Sequence, residues 1–139
     1  MEKTTTLRTG RHVVFSLHAH LVFVTKYRKK VFNAQMLDFL QQVFNDICKN
    51  FEVQLVQFEG ERDHVHLLVH YPPKVALSKL VNSLKGVSSR LLRAEFKHKI
   101  DKYFWKNVFW SPSYFAGSCG GAPLEIIKKY IQNQQRPFT

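Results

Sequence analysis

Carboxylates are scarce in this chain. Ten Asp and Glu stand against 21 Lys and Arg, giving a formal charge of +11 over 139 residues. Such an excess favours a polyanionic partner, because every neutralised phosphate releases counterions, although a basic but inert surface is the plainer alternative. Cysteine is nearly missing as well. Cys48 and Cys119 lie far apart with no CxxC spacing, which suggests neither a disulfide framework nor a cysteine zinc site. Reduced thiols and a cytoplasmic location are the simplest expectation. No apolar run approaches the ~20 residues of a spanning helix, so no membrane partner is expected. The polar stretch Met1 to Arg11 has no apolar signal core and is expected to be an N-terminal arm. Internal repeats and low-complexity stretches are absent too. The length fits one domain, 1–139, and a hydrophobic content of 45% is enough to give it a core.

What is present is periodic. From Val13 to Val24, Phe15, Leu17, Ala19, Leu21 and Phe23 alternate with Ser16, His18, His20 and Val22, the period of a strand. The strand runs into Lys26-Tyr27-Arg28-Lys29-Lys30, a basic run broken by one aromatic ring. That run suits phosphate contact or base stacking, and equally a solvated strand end. Asn33 is placed to cap a helix carrying Met36, Leu37, Leu40, Val43, Phe44 and Ile47. A second strand is expected over Glu52–Phe58, then a turn at Gly60 and a third strand over His64–His70. A long helix, Leu77 to Lys97, turns Leu80, Val81, Leu84, Val87, Leu91 and Leu92 inward. Its charged residues, among them Lys85, Arg90 and Arg93, are either solvated or phosphate-facing.

Val108-Phe109-Trp110 and Tyr114-Phe115 flank Pro112 and suggest a fourth strand, bulged or at an edge. Gly117, Gly120 and Gly121 make 116–122 a candidate hinge, and Pro123 suits the first turn of a last helix, 123–135. The order β-α-β-β-α-β, plus one C-terminal helix, predicts an α+β domain with a ferredoxin-like, RRM-like antiparallel sheet. Its helices would lie on one face, leaving the other free to carry a site.

The chemistry concentrates in two places. His64 and His66 are two apart on a strand, so both project to one face and two imidazoles could share a metal ion. Alone, such a pair more often serves local hydrogen bonding, and His12 or the His18/His20 pair has no better claim. Tyr130 and Gln134 are four apart on the last helix, hence neighbours on one side of it. Tyr130 also continues the stripe of Ile126, Ile127 and Ile131, which favours a core aromatic. Gln134 is harder to explain by packing, because a carboxamide oxygen can ligate a hard metal. Taken together they suggest a phenol attacking a metal-bound phosphate. Asp63 or Glu61 could fix the tautomer of a liganding histidine, with a turn role for Asp63 equally open.

These residues resemble a known family. Asp63-His64-Val65-His66 resembles the HUH motif, and Tyr130-Ile131-Gln132-Asn133-Gln134 resembles the catalytic helix of the single-tyrosine HUH transposases, the TnpA proteins of the insertion-sequence 200/605 family. Lys26-Tyr27-Arg28, Leu84-Lys85-Gly86, Ser88-Ser89-Arg90, Trp110-Ser111-Pro112-Ser113 and Gly120-Gly121-Ala122-Pro123 agree along nearly the whole chain. The resemblance implies a homodimer that recognises single-stranded DNA hairpins and acts in the prokaryotic cytoplasm at the nucleoid. It implies Mg²⁺ or Mn²⁺ held by His64, His66 and Gln134, and a 5′-phosphotyrosine intermediate on Tyr130. It also implies a tyrosine helix able to complete the partner's site through the glycine hinge. Lys26, Tyr27, Arg28, Lys85, Arg90 and Arg93 are the candidate DNA contacts. Two alternatives stand beside this: a domesticated nuclease acting on host repeat DNA, and a non-catalytic RRM-like domain that stacks bases on sheet aromatics.

Overall fold

A computed structural model of the chain describes residues 7–105, 108–118 and 124–134. It opens with a two-stranded hairpin, β1 (Arg8–Thr9) and β2 (Val14–Phe15). The N-terminal arm expected over 1–11 is held against the sheet at Arg8. Arg8 donates through Nη1 to the His70 carbonyl at 3.0 Å and through Nη2 to that of Glu52 at 2.9 Å, and its guanidinium lies over the Phe15 ring.

The main sheet follows. The strand expected from Val13 breaks at Ser16-Leu17, where the Leu17 carbonyl accepts from the Tyr71 N–H at 3.0 Å, and resumes as β3 (His18–Val24). Asn33 does cap α1 (Ala34–Asn50), its Oδ1 accepting from the Met36 N–H at 2.8 Å. That helix buries Met36, Leu40, Val43, Phe44 and Ile47. It ends where Glu52 takes a left-handed conformation, φ 60°. A non-glycine residue there closes the helix and delays the next strand, β4 (Gln54–Gly60), by two residues relative to the expectation. At its end Gly60 lets α1 approach, since a Cβ would come within 2.5 Å of Leu37. β5 (His64–His70) has the predicted limits.

α2 (Leu77–Glu95) stops two residues short of the expected Lys97. Phe96 leaves helical geometry (φ −122°, ψ 39°) as its ring packs edge-on against Phe39, and a short α3 (Lys97–Asp101) resumes. The fourth strand is displaced. Trp110 makes only an isolated bridge to Thr25, and the paired segment is β6 (Phe115–Ser118), beyond Pro112. Gly117 pairs opposite His20 inside β6, so it belongs to the sheet rather than to a hinge. Gly120 and Gly121 lie outside the described residues, as do Cys119 and Pro123. α4 (Leu124–Asn133) completes the chain, with the Ile126 and Ile127 side chains likewise outside the description.

The sheet order β4-β5-β3-β6 is antiparallel throughout and has the predicted split βαβ topology. Ala19, Leu21 and Phe23 of β3 and Val65, Leu67 and Val69 of β5 form the core with α1 and α2. Among the described residues no helix is long and apolar enough to cross a membrane.

Candidate active site

Strand alternation places the even-numbered residues of β3 and β5 on the face away from that core. Val24 lies opposite His64, Val22 opposite His66 and His18 opposite His70. Five of the seven histidines therefore share one surface, and their coverings differ. At one end the β1–β2 hairpin closes over it. His18 and His70 are buried and stacked, ring centroids 4.2 Å apart, with the Phe15 ring edge-on to His70.

At the other end the site is built. His64 and His66 stand with ring centroids 5.0 Å apart and planes at 79°. Each has one ring nitrogen engaged. His64 Nδ1 lies 2.7 Å from Asp63 Oδ1, and His66 Nδ1 lies 3.1 Å from His20 Nε2. In both rings this leaves Nε2 for a ligand, with the tautomer set by the neighbour. Burial, then the proximity of His64 and His20, pushes His66 down to about 4, so it is neutral at pH 7 and has a lone pair to offer.

Asp63 is the anchor of this end. Its Oδ2 accepts from Arg28 Nε at 2.7 Å, and its carbonyl accepts from the Thr25 N–H at 2.9 Å. Burial alone would raise its carboxyl, but hydrogen bonds from His64 and Arg28 outweigh this and hold it below the usual carboxylate range. Of the two acidic candidates the structure chooses Asp63. Glu61 closes the turn through its backbone, its N–H donating to the His64 carbonyl at 2.8 Å. Tyr27 and Arg28 both have positive φ, 57° and 56°, an uncommon conformation for bulky residues. The Arg28–Asp63 pair helps hold this turn, which exposes the Tyr27 ring with Lys26 Nζ 5.4 Å from its centroid.

The last helix lies over the same face. Ile131 is buried with Val22 and Val24, and the half-buried Tyr130 packs against them and Phe115. Since Val22 and Val24 are the cross-strand partners of His66 and His64, the topology gathers tyrosine and histidine pair on one surface. Tyr130 is thus both part of an apolar cluster and reachable. Its phenolic oxygen lies 2.8 Å from Ser113 Oγ. Burial raises its pKa, partly offset by the Ser113 bond, so it is protonated at neutral pH. Gln134 Oε1 accepts from the Ser111 hydroxyl and, at 3.3 Å, from that of Ser113.

Three polar residues here escaped the sequence reading: His20, Ser111 and Ser113. His20 was visible as a polar position alternating with core residues, but its pairing with His66 depends on strand order. The serines lay inside the Trp110–Ser113 motif without any local sign of what they touch.

The expected DNA contacts divide. The Lys85 ammonium donates to the carbonyls of Ser111 (2.7 Å), Pro112 (3.3 Å) and Ser113 (3.0 Å), because the loop after Trp110 folds across it. Arg93 is bound to the Val108 carbonyl and paired with Asp101 at 3.8 Å. Arg90 and Tyr27 are exposed, and Lys26 and Arg28 flank Tyr27 at the histidine end. The aromatic cluster that a base-stacking domain would need is mostly core. Phe109 and Trp110 are 1% and 8% exposed, leaving Trp105 at 83%.

Transposases of known structure share this fold. A 1.90 Å crystal structure of a Deinococcus radiodurans R1 protein assigned as a transposase superposes with a TM-score of 0.80 at 32% identity, covering 91% of this chain and 97% of that one. The structure of the REP-associated tyrosine transposase bound to a REP hairpin shares the fold, with a TM-score of 0.53 at 11% identity. In sequence, the transposase IS200-like family model matches residues 13–134. The chain is 31% identical over 128 residues to the ISDra2 transposase TnpA of Deinococcus radiodurans, covering 92% of this chain and 91% of that protein. It is 29% identical over 123 residues to the IS200 transposase of Salmonella typhimurium, covering 88% and 80%. This chain belongs to the IS200-like transposase family.

Proposed function

We propose that the chain cuts and rejoins single-stranded DNA at hairpin-bearing element ends, with the Tyr130 oxygen as nucleophile. The observation that carries this reading is the packing of Tyr130 on Val22 and Val24, the cross-strand partners of His66 and His64. In the step, the phenolic oxygen bonds to phosphorus and loses its proton to solvent, while the bond from phosphorus to the 3′-oxygen breaks and that oxygen takes up a proton from solvent. The product is a 5′-phosphotyrosine and a free 3′-OH, which can reverse the reaction without ATP because the ester is conserved.

The donor set suits a divalent cation such as Mn²⁺ or Mg²⁺. The Nε2 atoms of His64 and His66, left over by the contacts of their Nδ1 atoms, fit it, and the resemblance to the HUH transposases adds Gln134 as the third protein ligand. The ion would stabilise charge developing on the scissile phosphate. Lys26, Tyr27, Arg28, Lys85, Arg90 and Arg93 stay the candidate DNA contacts, and the neighbour of the same fold solved with a REP hairpin supports a hairpin as partner. We extend the reading to a homodimer acting on nucleoid DNA.

The test of the metal assignment is His64→Ala, which should abolish cleavage of single-stranded oligonucleotides from the gene's flanks while leaving hairpin binding nearly intact. Normal cleavage by that variant overturns it.

A further inference from the structure

Three motif segments, at Lys85–Arg90, Trp110–Ser113 and Tyr130–Gln134, are far apart in sequence and converge in space. Two of them fix the third. Backbone bonds hold the loop after Phe109 to the end of β3. Lys26 N–H donates to the Phe109 carbonyl at 2.8 Å, and Ser111 N–H to the Val24 carbonyl at 2.7 Å. α2 holds it from the other side. Trp110 Nε1 donates to the buried Ser88 Oγ at 3.0 Å. One turn earlier Lys85 Nζ gathers the three successive carbonyls of Ser111, Pro112 and Ser113. With its carbonyls drawn to Lys85, the loop turns its hydroxyls to α4, Ser111 to Gln134 and Ser113 to both Gln134 and the Tyr130 phenol.

We propose that Lys85 is a positioning residue: it fixes the Ser111–Ser113 loop so that the two hydroxyls set the places of the Tyr130 oxygen and the Gln134 carboxamide. A cation suits the task. One ammonium has three donors, matching three carbonyls, and its Nζ lies 5.9 Å from the ring centroids of both Phe23 and Tyr114. Methionine keeps the volume of the stem and removes every donor. Arginine keeps charge and donors on a longer stem. The inference rests on the tyrosine reading above, which the wild-type arm of the experiment checks separately.

The rival role for Lys85 is a phosphate contact, and the two roles diverge in what they move. As a positioning residue, Lys85→Met lowers the single-turnover cleavage rate at saturating single-stranded oligonucleotide by on the order of tenfold to a hundredfold, the usual effect of misplacing a reacting group. Its affinity for the hairpin oligonucleotide, and the salt dependence of that affinity, stay at wild-type values. Ser113→Ala, at an exposed position where folding is little disturbed, lowers the same rate, and Ser113→Thr, which restores a hydroxyl, recovers it. Hydrogen exchange gives a readout apart from catalysis. Amides of Leu124–Asn133 exchange faster in Lys85→Met and Ser113→Ala, while those of Ala34–Asn50 do not change. The inference is overturned if Lys85→Met cleaves at the wild-type rate, or if its defect is weaker hairpin binding with a salt slope shallower by about one, the signature of a lost phosphate contact. Exchange in Leu124–Asn133 unchanged in both variants also overturns it. A wild-type chain that binds hairpin yet forms no adduct overturns the tyrosine reading and this inference with it, whereas normal wild-type adduct with indifferent variants overturns this inference alone.

Discussion

His20 Nε2 lies 3.1 Å from His66 Nδ1, a hydrogen bond between neighbouring strands of the sheet. Its counterpart at the other proposed ligand is the 2.7 Å contact of Asp63 with His64 Nδ1. One ligand thus leans on a carboxylate and the other on an imidazole, which has to act as acceptor for His66 to present its Nε2 lone pair. Burial lowers the pKa of His20, partly opposed by the charge of Glu59, and so favours the neutral ring this requires.

The first prediction follows from that pair. His20→Ala should weaken Mn²⁺ binding by about tenfold to a hundredfold, the usual cost of losing a residue that orients a metal ligand. Isothermal titration with Mn²⁺ alone measures it. An unchanged affinity would show that His66 is oriented without His20.

A second prediction concerns pH. Burial pushes Lys85 from 10.5 down to about 8, with the Phe23 and Tyr114 rings and three loop carbonyls facing the amine. As pH rises through about 8 the ammonium becomes an amine with two donors in place of three, so one carbonyl is released. The cleavage rate should decline above that pH in wild type and hold to higher pH in Lys85→Arg. The sign for folding is opposite. Because the folded pKa is the lower one, the unfolded chain binds more protons between about 8 and 10.5, and this residue's contribution to stability rises with pH there. A rate that fell only in step with the melting temperature would contradict the account.

The fold itself offers a simpler check. Asn33→Ala removes the side-chain acceptor of the Met36 N–H and should cost about 1 kcal/mol, the typical value for a helix N-cap. Urea unfolding gives the number. A change within experimental error would mean that α1 does not depend on its cap.

Much of this was legible from short-range pattern. The alternation of β5 and the cap of α1 are local, and the structure keeps both. The expected strand over Val13–Val24 is divided because Val14–Phe15 pair with Arg8–Thr9 in a separate hairpin while His18–Val24 pair with β5, a choice of partners that local alternation does not carry. The fourth strand slipped past Pro112 because Trp110 was drawn into the core, where its indole N–H meets Ser88. The site divides the same way. His64, His66, Tyr130 and Gln134 could be named from spacing and resemblance, whereas His20 and the two serines depend on which strands and loops become neighbours. The loop contacts of Lys85 and Arg93 were not legible for a related reason: periodicity shows that a helix face is polar, not whether a loop will fold over it.

The most direct test of the account is a covalent one. The protein is incubated with end-labelled single-stranded oligonucleotides from the gene's flanks and Mg²⁺ or Mn²⁺, resolved on a denaturing gel, and the adduct mapped by mass spectrometry. The account predicts a DNA-linked peptide modified at Tyr130, absent without metal, absent on duplex DNA and absent in Tyr130→Phe. An adduct retained in Tyr130→Phe, or no adduct from flanks whose hairpins the protein demonstrably binds, would contradict it.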